Sequence, residues 1–119
     1  MLKSNVLKEM QRSMVSDFLE TIILAKLRNS VPLSGYDVIE FIHRKFGFLI
    51  SAGKVYSLMY SMERKGLLSG IDVKTKRTYT LTDKGVETIN AILESKVEIQ
   101  MFMRALLMVD QAIPSLLPQ

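Results

Sequence analysis

Positive charge is concentrated in one segment of this 119-residue chain, and this segment is predicted to bind a ligand of opposite charge. Between positions 51 and 84 there are seven basic and three acidic side chains, an excess that equals the net charge of the whole chain, +4. The basic residues are Lys54, Arg64, Lys65, Lys74, Lys76, Arg77 and Lys84. Elsewhere acidic and basic residues balance. A localised basic surface is the electrostatic footprint of a polyanion binder.

The segment from Ser51 to Lys65 is predicted to be a helix whose outer face suits DNA. Ser51 is a good N-cap, Gly66 is a good terminator, and free amides at the helix N-terminus can receive a phosphate. With about 100° of rotation per residue, the helix has two different faces. The apolar face consists of Val55, Leu58, Met59 and Met62, and the outer face with its flanks consists of Gly53, Lys54, Tyr56, Ser57, Tyr60, Ser61 and Arg64. Small residues allow close backbone approach, hydroxyls reach phosphates or base edges, and cations neutralise phosphates, as the major groove requires.

The two tyrosines of this helix are interpreted differently. From the residues alone, Tyr56 is equally well a packing residue or a DNA contact. Tyr60 lies on the outward face, so a functional role is favoured there.

A β-hairpin with a cationic tip is predicted to follow this helix. Residues 67–73 and 78–81 are rich in β-branched side chains, and the polar turn between them contains Lys74, Lys76 and Arg77. Taken alone, such a turn is more often only a solvated loop. Directly after a recognition-type helix it favours a wing that enters the adjacent groove, so these three residues are predicted DNA contacts.

The remaining elements predict a mainly α fold with a small β hairpin, a winged helix-turn-helix with a long C-terminal dimerisation helix. Residues 1–15 form an amphipathic N-terminal helix, the dimer arm, and residues 16–82 form the DNA-binding domain. Within this domain an enclosed apolar helix spans 17–28. Ser34 with Asp37 resembles a capping box that opens a further helix ending at Gly47.

The C-terminal helix is predicted to run from 83 to 113, where Pro114 stops it before a tail of residues 114–119. Apolar residues recur along it at heptad spacing, which indicates a seam for a second subunit. The predicted dimerisation residues are Ile92, Ile99, Phe102, Met103, Leu106 and Val109. The alternative is that this helix folds back over its own domain, but at roughly 1.5 Å per residue only part of its length of about 45 Å would then be covered.

The composition excludes several classes of function. Because the chain has no cysteine and a single histidine, His43, it offers no thiolate nucleophile, disulfide or zinc site, and no cofactor is expected. No Gly-rich phosphate loop or recognisable pair of carboxylates points to an enzyme. No apolar run approaches the roughly 20 residues that span a bilayer, and the charged N-terminus is unlike a signal peptide, so a cytoplasmic protein without membrane contact is expected.

Four linked motifs resemble those of the PadR family of transcriptional regulators. They match in order and spacing, and together they extend from about Phe18 to Ile92. The motifs are Leu33-Ser-Gly-Tyr-Asp-Val-Ile, Ser51-Ala-Gly-Lys-Val-Tyr-Ser-Leu-Met, Glu63-Arg-Lys-Gly-Leu-Leu and Tyr79-Thr-Leu-Thr-Asp-Lys-Gly85.

This resemblance implies a homodimeric winged-helix repressor whose Ser51 helix enters the major groove while the wing grips the flanking backbone. The recognition-helix tyrosine of the family corresponds to Tyr56, which favours a phosphate contact for that residue. Two features depart from the family pattern: Thr78 and Tyr79 replace its paired tyrosines, and the 15-residue N-terminal extension lies outside its shared core.

The predicted function is therefore sequence-specific binding of double-stranded DNA by a homodimer at a pseudo-palindromic operator. A small-molecule effector held between the long helices could release the DNA. The alternative is a winged-helix module that binds proteins without binding DNA, which would need an apolar or acidic outer face on the Ser51 helix.

Overall fold

The computed structural model describes residues 1–111, which form six helices and a three-stranded antiparallel sheet. The helices are α1 (Leu2–Asp17), α2 (Leu19–Leu27), α3 (Gly35–Phe46), α4 (Ala52–Arg64), α5 (Asp83–Glu94) and α6 (Lys96–Leu107), and the strands are β1 (Leu33–Ser34), β2 (Leu68–Val73) and β3 (Lys76–Leu81). The chain divides into two compact units, Met1–Ile89 and the residues from Asn90 onward. The predicted class, mainly α with a hairpin in a winged helix-turn-helix, is confirmed.

A small apolar core holds the first unit together. Its buried side chains are Val15, Leu19, Ile23, Leu24, Leu27, Val38, Ile42, Val55, Met59, Met62, Leu67, Leu68, Tyr79 and Ile89. Three of the four residues on the predicted apolar face of α4 are fully buried, while Leu58 is only partly covered. Because this face is fixed in the core, the opposite face of α4 must point to solvent.

The start of α3 is fixed by the predicted capping box. The Oγ of Ser34 accepts a hydrogen bond from the Asp37 N–H at 3.2 Å, and the Asp37 carboxylate accepts one from the Ser34 N–H at 2.9 Å. The helix ends at Gly47, whose φ of 79° is in the left-handed region. Both predicted boundaries are therefore confirmed, because local side-chain and backbone chemistry determines them.

The N-terminal helices differ from the prediction in their bounds. The first helix continues through Asp17 instead of ending at 15, and Phe18 is the single residue between α1 and α2. The predicted enclosure of residues 17–28 does not extend to Phe18, whose side chain is 41% exposed. The helical spacing of apolar residues continues through this junction, so the sequence does not indicate where α1 ends and α2 begins.

The hairpin turn is shorter than predicted. Val73 pairs with Lys76, so only Lys74 and Thr75 lie in the turn, and Lys74 adopts a φ of 57°. Lys76 and Arg77 are the first residues of β3, and their predicted position at the wing tip is wrong. A third strand that was not predicted, β1, pairs with the other side of β3 through Leu33 and Tyr79.

The C-terminal region is not one continuous helix. Ser95 interrupts it with φ −101° and ψ 20°, and the Ser95 Oγ donates a hydrogen bond to the Ala91 carbonyl at 2.9 Å. The Ser95 N–H instead donates to the Ile92 carbonyl at 3.0 Å, three residues back, as expected where a hydroxyl competes with the helical pattern. Helix α6 ends at Leu107. The predicted end at Ile113 and Pro114 and the predicted tail lie outside the described residues.

Candidate nucleic-acid interface

The predicted outer face of α4 lies at the protein surface. Ser51 caps the helix, with its Oγ accepting the Lys54 N–H at 3.3 Å. The exposed predicted site residues on and before this helix are Ser51, Gly53, Lys54, Tyr56, Ser57, Tyr60 and Arg64, and Ser61 is partly covered. The Arg64 guanidinium lies 5.1 Å from the centre of the Tyr60 ring. An aromatic and a cationic group are thus held together on the exposed face, where a nucleic acid could reach both.

One flank of α4 faces the N-terminal helices. Lys54, Ser57 and Ser61 line an open cleft of about 420 Å3 together with Ser16, Asp17, Glu20 and Leu58. The Lys54 ammonium donates a hydrogen bond to the Ser16 Oγ, and Lys65 lies 3.4 Å from a Glu20 carboxylate oxygen. Lys54 is therefore directed toward α1. The outer ridge of α4 consists of Gly53, Ser57, Tyr60 and Arg64, with Ser57 at its border with this cleft.

The other flank of α4 faces the wing and the start of α3. A cleft of about 390 Å3 separates them, lined by Ser34, Tyr36, Asp37, Tyr56, Thr75, Lys76, Arg77 and Tyr79. Tyr36 was not among the predicted site residues, although it is well exposed at the mouth of this cleft. Its position directly after the capping Ser34 and Gly35 is the sequence signal that could have identified it.

Asp37 is the acidic group of this cleft. The hydrogen bond from the Ser34 backbone N–H lowers the pKa of Asp37 below its ordinary value, and partial burial opposes that effect. The positive charge of Lys76 makes a smaller contribution in the same direction. Since this carboxylate is occupied in capping α3, it is held in place and stays charged at neutral pH.

Arg77 is engaged within the protein. Its Nε and Nη2 donate to the two carboxylate oxygens of Glu63 at 3.2 and 2.5 Å, and its Nη1 donates to Asp72 Oδ1 at 2.9 Å. The hydrogen bonds that Arg77 donates to Glu63, and to a lesser extent to Asp72, raise the pKa of the Arg77 guanidinium above its usual value. The positive charge of the wing that faces solvent therefore comes from Lys74 and Lys76.

Tyr79 lines the cleft between α4 and the wing, and its side chain is part of the core. It is buried, and this burial raises the pKa of its hydroxyl. The Arg77 guanidinium carbon lies 5.8 Å from the centre of its ring. Tyr79 is accordingly a packing residue of the wing, and the exposed aromatic groups beside the wing are Tyr36 and Tyr56.

The predicted dimerisation residues lie on a surface that the second unit leaves uncovered. No residue of α6 is buried. Ile99, Phe102, Leu106 and Val109 are exposed, while Ile92 and Met103 are partly covered.

Within residues 1–111 there is no group of side chains suited to hold a metal ion. None of the helices described here has the length and apolar character needed to cross a membrane.

Comparison with known proteins places these features in a family. The model of the transcriptional regulator PadR-like family matches residues 23–91, more than half of the chain. No curated protein matches. Among solved structures, a PadR-like transcriptional regulator from Bacillus cereus is 23% identical with a TM-score of 0.66, over 81% of this chain and 97% of that chain. A PadR family transcription regulator from Clostridium difficile is 18% identical with a TM-score of 0.64, over 76% of this chain and 98% of that chain.

A further similar structure contains a nucleic acid. Bacillus subtilis PadR, crystallised in complex with operator DNA, is 23% identical with a TM-score of 0.55, and the match covers 85% of this chain and 51% of that one. At such identities the solved structures establish a shared fold. The family match itself spans the helices and the hairpin described above. The chain therefore belongs to the PadR-like family of transcriptional regulators, which are not enzymes.

Proposed function

We propose that this regulator represses transcription by binding, as a homodimer, to a pseudo-palindromic operator. The observation that carries the proposal is the exposed ridge of α4, where Gly53, Ser57 and the Tyr60–Arg64 pair point to solvent beside a wing bearing Lys74 and Lys76. The ridge can enter a major groove, and the wing lysines can contact flanking phosphates. The similar protein Bacillus subtilis PadR was crystallised in complex with operator DNA, which supports DNA as the partner.

The outer face of α4 disfavours the competing function, a winged helix that binds only proteins. Such a module needs an apolar or acidic surface there. The ridge instead carries Gly53, Ser57 and Arg64, and its one large aromatic group, Tyr60, has a cation beside it. The acidic Glu63 of this helix is neutralised by Arg77. A polyanion is therefore the partner that the chemistry of α4 favours.

Dimerisation is proposed from uncovered apolar surface in each unit. In the first unit α1 exposes Leu2, Val6, Leu7 and Met10, and in the second α6 exposes the seam of Ile99, Phe102 and Leu106. Exposed apolar side chains grouped on one helix are characteristic of an interface with another subunit. A two-fold dimer would present two α4 helices to half-sites roughly 34 Å apart, about one turn of DNA.

The test is a fluorescence-anisotropy titration of the protein with DNA from upstream of its own gene and with scrambled DNA of equal length, at two or more salt concentrations. We expect preference for the upstream DNA and a logarithmic salt slope of about 0.9 per phosphate contacted, with about 3 to 5 contacts per subunit. Tyr60→Phe and Ser57→Ala should change the preference among sequences, whereas Lys76→Ala should weaken all sequences alike. Weak binding to both DNAs without salt dependence would overturn the proposal.

A further inference from the structure

We propose that Arg77 is a positioning residue that braces the wing against the recognition helix α4, and that it is not itself a phosphate contact. The inference rests on the proposed DNA-binding function. It concerns the geometry of the interface: the distance between α4 and the wing decides whether both can contact one DNA duplex. Arg77 is the residue whose side chain joins these two elements through charged hydrogen bonds.

The bonding pattern shows how the brace is built. Glu63 lies on the last turn of α4 and Arg77 lies at the start of β3, so their bidentate pair connects helix and wing directly. The third guanidinium nitrogen binds Asp72 on the neighbouring strand. A planar guanidinium that is bound on two edges has a fixed orientation, which a lysine could not reproduce.

Electrostatics argues against a phosphate at this position. The group formed by Arg77, Glu63 and Asp72 contains one positive and two negative charges. A phosphate approaching Arg77 would have to displace a carboxylate or accept repulsion from two of them. The guanidinium and the Glu63 carboxylate are also largely covered, with side-chain exposures of 35% and 23%. The wing lysines Lys74 and Lys76, in contrast, are exposed, and neither forms a salt bridge within residues 1–111.

The brace depends on a glycine that leaves room for it. A Cβ at Gly70 would lie 2.6 Å from the Arg77 Nε and 2.8 Å from its Cζ, so the guanidinium rests directly against the backbone of β2. Any larger residue at position 70 must displace Arg77. Gly70→Ala therefore disrupts the brace without changing the charge of any residue. Its effect on DNA binding reports the position of Arg77 and not its charge.

The experiment compares DNA affinity and salt slope for Glu63→Gln, Gly70→Ala and Arg77→Ala. Removal of a carboxylate near a DNA-binding surface should tighten binding if only charge mattered. With the brace, Glu63→Gln and Gly70→Ala should each weaken binding about tenfold, a change of ~1.4 kcal/mol. Asp83→Asn removes a carboxylate of the same basic segment and Ser69→Ala alters the same strand. Both controls should bind at least as well as the wild type.

The salt slope identifies the role of Arg77. If Arg77 only braces the wing, Arg77→Ala should weaken binding and have the same slope as Gly70→Ala, which disturbs the brace but keeps the cation. If Arg77 contacts a phosphate in each subunit, the slope of Arg77→Ala should be lower than that of Gly70→Ala by about 0.9 per subunit, and that result would overturn the inference. Equal or tighter binding by Glu63→Gln would overturn it as well.

Hydrogen exchange separates this inference from the proposed function. We expect faster exchange of the β2 and β3 amides in Glu63→Gln and Gly70→Ala than in the Ser69→Ala control. If the wild type binds no DNA, the proposed function fails and so does the role of Arg77 at the interface, even where exchange reveals a structural brace. If the wild type binds but exchange is unchanged in both variants, only the brace fails.

Discussion

The side chain of Tyr56 fills the space that a side chain at position 35 would need. A Cβ on Gly35 would lie 2.3 Å from Cε1 and 2.4 Å from Cδ1 of Tyr56. Gly35 is the buried first residue of α3, so this contact joins α4 to the start of α3. Tyr56 is nevertheless 49% exposed and lines the cleft beside the wing. The Tyr56 side chain therefore packs on one side and is accessible on the other. It can be a packing residue and a DNA contact at the same time, the two roles that the sequence left open.

Gly35→Ala should disturb both the fold and the interface. The added methyl group must displace a rigid ring, and overpacking of this kind costs about 1–3 kcal/mol of unfolding free energy. Urea denaturation followed by circular dichroism measures this loss. Displacement of Tyr56 should also weaken DNA binding in the anisotropy titration. Unchanged stability would show that the ring can rotate aside freely.

Gly53→Ala is the matched glycine substitution, with the opposite effect expected on stability. A Cβ on Gly53 would meet only the Ser51 Oγ, at an ordinary distance of 3.7 Å. Stability should therefore rise by about 0.4–1 kcal/mol, because alanine has fewer unfolded conformations. DNA affinity should fall, since the methyl group stands on the ridge that approaches the groove. Unchanged affinity would place Gly53 outside the interface.

The parts of the fold that were predicted correctly depend on interactions close in sequence. The capping box of Ser34 and Asp37, the terminator Gly47 and the buried face of α4 all arise within one or two helical turns. Local residue types and periodicity suffice to predict such features. The exposed ridge of α4 follows directly, because it lies opposite the buried face.

The features that the sequence did not predict concern register and long-range partners. Pairing of Val73 with Lys76 shortens the turn by two residues, and the cross-strand fit decides that register. The partners of Arg77 and Lys54 lie 14 and 38 residues away, so the sequence cannot show that these cations are already engaged. The interruption at Ser95 comes from one hydroxyl that binds a helical carbonyl, which the heptad pattern does not reveal.

The capping box makes stability depend on pH. Because the folded-state pKa of Asp37 is lowered, its carboxylate contributes stability that is complete above its ordinary pKa of 3.8 and is lost as pH falls through the folded-state value. Asp37→Asn should destabilise the protein by about 0.5–2 kcal/mol at neutral pH. This difference from the wild type should shrink in acid below pH 3.8.

Chemical denaturation at a series of pH values measures the capping effect. Glu40→Gln is the control, since the carboxylate of Glu40 lies on the same helix in an exposed pair with Arg44 at 3.6 Å. Such pairs contribute little, so this variant should follow the wild type. A constant difference between Asp37→Asn and the wild type down to pH 2 would contradict the assigned cause.

Lys74→Gly should make the wing more stable but weaken its contact with DNA. The φ of 57° at Lys74 is unfavourable for a residue with a Cβ, so glycine should stabilise the hairpin by up to about 1 kcal/mol. Removal of the tip charge should lower the salt slope by about 0.9 per subunit. Lys45→Ala, which removes an exposed charge at the end of α3, should leave the slope unchanged. A slope that is equal in Lys74→Gly and the wild type would exclude a phosphate contact at the wing tip.

Phe102→Glu should convert the proposed dimer into monomers. Phe102 lies on the heptad seam of α6 and is 55% exposed within the chain, so a second subunit is expected to cover it. Burial of a large apolar side chain contributes about 1.5–3 kcal/mol, and two-fold symmetry doubles the loss. Sedimentation velocity at several concentrations should therefore show a dimer for the wild type and a monomer for this variant.

Gln100→Glu supplies the matched control for the seam. It places the same new charge on α6 only two residues away, and at about 100° per residue that position lies on the opposite side of the helix. This variant should remain dimeric and bind DNA nearly as well as the wild type, whereas Phe102→Glu should bind far more weakly because its two recognition helices are no longer linked. If both variants dissociate alike, the heptad seam is not the interface. If neither dissociates, the contacts between subunits lie elsewhere, and the exposed apolar face of α1 becomes the next surface to alter.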